Sequence, residues 1–285
     1  MRARRSKRAF ALRHALPAVA LLVLLQAEAR AEDTQAAAAS TLELGVGVAA
    51  LRFPDYPGSE RSRELVLPFP YIVYRSPHLD VSNRRVRGIV IAGSRFSLDV
   101  DFAGSVAVDS SRNPERRGMP NLDWIGEAGP ALRYNAWNDT RKTTAVDLVL
   151  PARAAVSTRG LQLHQRGWVW APRVEWRRRT GGATYSDEFD ASLGASWTGS
   201  ALNDYVYGVA PQYATPQRPA FEPGGGYSGY SASFGMSLRR GSVVYGWFVR
   251  YTDLSGSVVD GSPLVSRPHS TSVGVAVAWI LSSRR

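Results

Sequence analysis

The sequence has no cysteine, which excludes a disulfide scaffold and every cysteine-ligated zinc or iron–sulfur centre. Past residue 31 it has no apolar run near the ~18–20 residues that a spanning helix needs, so a helical membrane bundle is excluded as well. Lysine is nearly missing, with only Lys142 after Lys7, and histidine is scarce at four residues. Metal-ligand spacing is absent, and so is the G-x-S-x-G elbow of hydrolases. Gly45-x-Gly47 is followed by no helical pattern, which excludes a dinucleotide site. What the 285 residues do contain is 26 glycines and a rich aromatic set of 8 Trp, 12 Tyr and 9 Phe. That composition suits a soluble β protein or a membrane β-barrel equally.

The N-terminus chooses the compartment. Six basic side chains and no acid precede Ala15, an apolar stretch runs from Ala15 to Leu25, and small residues follow at Ala27, Ala29 and Ala31. These are the three parts of a secretory signal, with cleavage expected after Ala31. Without residues 1–31, 28 basic groups face 23 acids, so the formal charge falls from +11 to +5. Much of the basicity therefore belongs to export, and nucleic-acid binding is not expected. Residues 32–40 read as a flexible leader and 282–285 as a C-terminal tail.

Between 41 and 281 the pattern has period two, as in β-strands with one apolar and one polar face. Leu98, Val100 and Phe102 oppose Asp99 and Asp101; Thr144, Val146, Leu148 and Leu150 oppose Asp147; Val273, Val275, Val277 and Trp279 oppose small residues. Turn signals such as Asn138-Asp139, Gly181-Gly182 and Arg240-Gly241 separate the runs. About twelve strands are expected, at 41–52, 64–75, 78–92, 95–108, 122–137, 142–157, 161–179, 183–198, 203–210, 228–239, 242–252 and 270–281. Ten is the alternative, if 64–75 with its two prolines and the short 203–210 fail. A secreted sandwich would alternate in the same way. Two features favour an antiparallel transmembrane barrel: outward aromatics at segment ends, and charges of both signs on the opposite faces, which a dry core could not hold unpaired.

The charged faces suggest ion pairs lining a narrow lumen: Asp99, Asp101, Glu127, Asp147 and Glu175 against Arg133, Arg173, Arg177, Arg239 and Arg250. Two carboxylates at glycosidase spacing are permitted by the same pattern, but neutralisation in a small interior explains them better. His78, His164 and His269 are spread over the chain, a bulge is expected near His164, and no catalytic residue, metal or cofactor is assigned. Strand parity from a periplasmic N-terminus places 53–63, 211–227 and 253–269 outside. It puts 109–121, with Arg112, Arg116 and Arg117, on the periplasmic side, unless the strand count is off by one before it. Asp55 and Tyr56, in a Pro- and Gly-stiffened turn, and Tyr205 and Tyr207 are candidates for loop recognition.

Leu44-Gly45-Val46-Gly47-Val48, Phe53-Pro54-Asp55-Tyr56-Pro57-Gly58-Ser59 and Pro70-Tyr71-Ile72 resemble the opening of the MipA/OmpV outer-membrane proteins. Tyr205-Val206-Tyr207-Gly208-Val209, then Arg218-Pro219-Ala220-Phe221 and Gly224-Gly225-Gly226-Tyr227, resemble that family's second characteristic region. The resemblance implies a barrel in outer-membrane lipid that serves as a scaffold. Its implied partners are a lytic transglycosylase and a bifunctional murein synthase of the penicillin-binding class, with Arg112, Arg116 and Arg117 as the candidate contact. Porin-like and adhesive barrels are the alternatives within the family, and a lipid-modifying enzyme ranks last. No catalytic residue carries over.

Overall fold

The computed structural model describes residues 40–76, 79–82, 85–92, 95–160 and 162–284. The expected signal segment, nearly all of the leader and His78 lie outside these residues. The alternating pattern becomes thirteen strands: β1 (Thr41–Pro54), β2 (Ser62–Arg75), β3 (Leu79–Ser82), β4 (Arg85–Ala92), β5 (Phe96–Ser105), β6 (Trp124–Asn138), β7 (Thr144–Arg159), β8 (Gln162–Trp170), β9 (Arg173–Gly181), β10 (Tyr185–Thr198), β11 (Gly226–Arg240), β12 (Val243–Asp253) and β13 (His269–Arg284). One helix of eight residues, α1 (Ser200–Tyr207), interrupts them.

All pairings are antiparallel. Consecutive strands are neighbours, and β13 pairs with β1 from Leu42↔Arg284 to Arg52↔Val273. β8 and β9 both pair with β7 and both with β10, so they share one place in the ladder. Pro172, which has no N–H to donate, marks the break between them. Following the pairs from β1 leads through twelve places back to β1. The ladder is thinnest at β2–β3, where only Tyr74↔Val81 and Arg75↔Asp80 pair. That thinness explains why Pro68 and Pro70 do not break β2: they pair with Val48 and Val46 of β1, while β3 meets β2 only beyond them.

Four expectations are corrected. The run 161–179 is two strands, β8 and β9, parted at Ala171-Pro172. The run 203–210 is not a strand. Its residues 203–207 form the end of α1, because Leu202, Tyr205 and Val206 recur at helical spacing and all three pack into a buried cluster. The run 78–92 is two strands, β3 and β4, which pair antiparallel from Leu79↔Gly88 to Ser82↔Arg85. That extra reversal moves 109–121 to the other rim. Both strand termini, Thr41 and Arg284, lie at the end that carries the short connections 139–143, 182–184 and 241–242. The four long connections, 55–61, 106–123, 199–225 and 254–268, all lie at the opposite end.

Register settles the two faces. Val46 and Val48 on β1, Leu132 on β6, Tyr245 and Trp247 on β12, and Val275 and Trp279 on β13 share the outward parity and are exposed. Apart from Glu43 and Arg250, the inward parity of β1, β12 and β13 carries small, hydroxyl or apolar residues, and Gly274 lies against Phe248 and Leu51 so closely that a Cβ would fall 2.4 Å from the Phe248 ring. On β5, β6, β7 and β9 the inward parity is charged.

Candidate functional site

The charged half of the interior is built across four strands. Asp99 and Asp101 project from β5, Glu127 and Arg133 from β6, Asp147 and Arg153 from β7, and Arg173, Glu175 and Arg177 from β9. Arg133 is the hub. Its Nε donates to Asp99 at 3.1 Å, and its Nη1 donates to Asp147 and to Glu175, both at 2.9 Å. Arg173 donates from Nη2 to Asp101 at 2.7 Å and from Nε to Glu175 at 2.8 Å, and Arg177 pairs with Asp147. Side chains buried this deeply can stay charged only when their lone pairs and protons are matched, which the alternation of sign across strands achieves.

Arg153 belongs to the same network, donating to Asp101 at 2.7 Å and to Glu127 at 2.9 Å. The sequence reading passed over it, although its parity with Asp147 was visible. Arg239 stands apart and donates instead to Glu43 of β1 at 2.6 Å. Arg250 shares the inward face opposite Ser233 and Ser272, and it makes no ion pair among the described residues.

The second feature is the rim where the four long connections meet. Tyr56, Val108, Leu122, Tyr207, Val209, Leu254, Val259 and Leu264 form one buried cluster to which all four contribute. Polar bonds tie the same segments. The Tyr56 hydroxyl donates to Leu264 O at 2.9 Å, that of Tyr207 to Pro57 O at 3.0 Å, and Ser262 Oγ to Tyr207 O at 2.7 Å. Asp55 accepts from Arg61 at 3.1 Å, from Asn113 at 2.8 Å and from Arg63. Burial alone would raise the Asp55 pKa, but the Asn113 hydrogen bond and the Arg63 charge outweigh it and hold the carboxyl below its usual value. Burial, with the Glu115 charge nearby, pushes the Tyr56 hydroxyl well above its ordinary value.

Helix α1 turns this cluster into a cap. Leu202, Tyr205 and Val206 pack on Ile125, Ala155 and Val169, which carry the inward parity of β6, β7 and β8. The helix therefore lies against the inward-parity face of β6, β7 and β8, at the end that carries the long connections. Tyr205 exchanges hydrogen bonds with Asp123, and the Arg166 guanidinium lies 3.7 Å from its ring centre. The register shift that presents Arg166 to Ser157 is the bulge expected beside His164.

The loop candidates accordingly hold the cap together. Asp55, Tyr56 and Tyr207 are buried, and Tyr205 is half-buried with its hydroxyl spent on Asp123. Arg116 is 3% exposed, donating to Val206 O at 2.7 Å, to Ser110 Oγ and to Pro120 O, with the Tyr56 ring 5.9 Å away. Arg112 and Arg117 are exposed beside it. The three arginines sit on the capped rim, not the rim of the chain termini. His269 Nδ1 lies 3.6 Å from Asp253 and its ring stacks on Tyr251, whereas His164 stands exposed on β8. Among the described residues no cluster of His, Cys, Asp and Glu could hold a metal ion.

Among solved structures the chain is similar to a bacterial polysaccharide outer membrane secretin, at 11% identity and a TM-score of 0.40, over 84% of this chain and 99% of that one. It is also similar to the NanC porin, at 7% identity and 0.39, over 82% and 98%. The likeness to Pseudomonas putida OprB is 11% identity and 0.24, over 86% and 94%. No curated protein matches the sequence. The family model of MltA-interacting protein MipA matches residues 46–281, nearly the whole span from β1 to β13, and the chain belongs to that family.

Proposed function

We propose that the chain is a closed outer-membrane β-barrel, exported by its N-terminal segment, that serves as a non-enzymatic scaffold for murein-remodelling enzymes. The scaffold role is carried by the match to the MltA-interacting protein family. Membrane residence is supported by the outward face: on the paired strands β1 and β13, Val46, Val48, Val273, Val275 and Trp279 would leave in water an apolar patch of the kind that marks a membrane or partner surface. Aromatics bracket that face. Tyr185 and Trp197 stand twelve residues apart on β10, or ~40 Å along a strand and about 28 Å of height at ~45° tilt, which fits a hydrocarbon core of ~30 Å.

With both strand termini toward the periplasm, the cap faces outward and the short turns face the cell wall. A periplasmic partner then meets the turn rim, where Arg141, Lys142, Arg179 and Arg240 are exposed. This replaces Arg112, Arg116 and Arg117 as the candidate contact. The test is affinity capture from detergent-solubilised outer membrane. A lytic transglycosylase should co-purify with the wild-type chain, and charge reversal of Arg141, Lys142 and Arg240 together should abolish the capture while a reversal of Arg112 and Arg117 leaves it intact. Loss with the second variant and retention with the first would overturn the orientation; no enzyme in either eluate would overturn the scaffold.

A further inference from the structure

Arg250 is anomalous within its surroundings. Its side chain has the inward parity of β12, yet it is solvent-exposed, so the interior at this level is wide enough to hold water. The charges that act on it are the guanidiniums of Arg173 and Arg153. Each of those is anchored by carboxylates: Asp101 accepts from both, Glu127 from Arg153 and Glu175 from Arg173. Arg250 has no such anchor among the described residues, and all five of its N–H donors are uncommitted. The Nη2 of Arg153 is uncommitted too.

The wall between them is low. From β12 to β9 the row at this level reads Arg250, Ser233, Ser192 and Glu175, with Ser192 and Ser233 sharing a hydrogen bond at 2.8 Å. One level toward the cap, Gly194 faces Arg173. Three strand spacings of ~4.8 Å thus separate Arg250 from the network, and only hydroxyls and a glycine occupy that floor. The hollow is therefore cationic on two sides, lined with hydroxyls below, and wet. Guanidiniums of this kind match the paired oxygens of carboxylate and phosphate groups.

We propose that Arg250, together with the uncommitted face of Arg153 and the flank of Arg173, forms an oxyanion site that binds a small carboxylate- or phosphate-bearing solute inside the sheet. The site rests on the closed-barrel reading above, because an open sheet would not bring β7 and β12 to one interior.

The test is calorimetric titration of the folded full-length mature chain in detergent micelles at low salt, with inorganic phosphate in one series and acetate in another. Saturable binding of at least one anion is expected. Arg250→Gln should weaken it at least tenfold, Arg250→Lys should weaken it less, because it keeps the charge and loses the fork, and Arg117→Gln on the exposed capped rim should leave it unchanged. Thermal melting supplies an independent readout: phosphate should raise the midpoint of the wild type and leave that of Arg250→Gln unmoved. Binding by neither anion, or equal binding by wild type and Arg250→Gln, would overturn the site. Whether the barrel itself has formed is read separately from the shift between boiled and unboiled samples on a gel, so the two failures are distinguishable.

Discussion

Replacing Arg116 with alanine should release the cap without unfolding the wall. The side chain is 3% exposed and makes three hydrogen bonds, to Val206 O at 2.7 Å and to Ser110 Oγ and Pro120 O at 3.3 Å each. Hydrogen bonds from a charged donor are worth ~1.5–3 kcal/mol, so the short one alone accounts for about 2 kcal/mol. The two longer ones and the contact with the Tyr56 ring add about 1–2 kcal/mol more. The acceptors left buried are two carbonyls and the Ser110 hydroxyl, which can recruit water through the gap, so a total near ~3–4 kcal/mol is reasonable for the cap. At ~1.4 kcal/mol per decade, the opened population rises by about 140- to 700-fold. Proteolysis through local opening tracks that population. Limited proteolysis of the protein in micelles or liposomes should therefore show cleavage within 106–123 and 199–225 accelerating by about two orders of magnitude, while the boiled-versus-unboiled gel shift persists. Lysine at 116 should fall between, since it keeps the charge and loses the planar fork. Cleavage in the alanine variant within threefold of wild type would refute the account of Arg116 as the tie between the 106–123 segment and α1.

Other expectations follow from the same geometry. Arg133→Ala takes one partner from each of Asp99, Asp147 and Glu175 at once; breaking a buried ion cluster on one side costs about 3–5 kcal/mol, so refolding yield and the urea midpoint of unfolding should both drop. The cap should also loosen in acid. The Asp55 pKa is lowered on folding, so its contribution is complete above the ordinary carboxylate value of ~3.9 and is lost as pH falls through the lower, folded value. Loop cleavage should therefore accelerate in that acid window in the wild type, and this acceleration should be missing from Asp55→Asn. In planar bilayers the wild type should give little steady conductance, because α1 lies on the inward residues Ile125, Ala155 and Val169; deletion of 200–207 should create a persistent open level, and wild-type currents equal to those of the deletion would contradict the cap.

Much of this molecule is legible in its residues because a strand is a local device. Neighbouring side chains alternate faces whatever lies across from them, so the outward valines and the inward acids of β5 and β7 can be named from spacing alone. The same locality explains the misreadings. Tyr205 and Tyr207 mimic alternation over too few residues to be told from one helical turn, and only packing against Ile125 and Val169 decides for the helix. In 78–92 the apolar pattern runs through both β3 and β4, so nothing in it marks the change of direction that their antiparallel pairing requires, yet that change transfers the arginines of 109–121 from one rim to the other.

The order of amino acids thus determined the strands, their two faces and the polarity of each, since these depend on a repeat of two residues and on nothing beyond it. The tertiary structure decided which charges meet. Arg133 finds Asp99, Asp147 and Glu175 on three other strands, Arg239 finds Glu43 across 196 positions, and Arg250 finds no carboxylate among the described residues. Those outcomes follow from register and from the return of β13 to β1, and register is a sum over every turn and bulge in between, where a shift of one residue exchanges the faces.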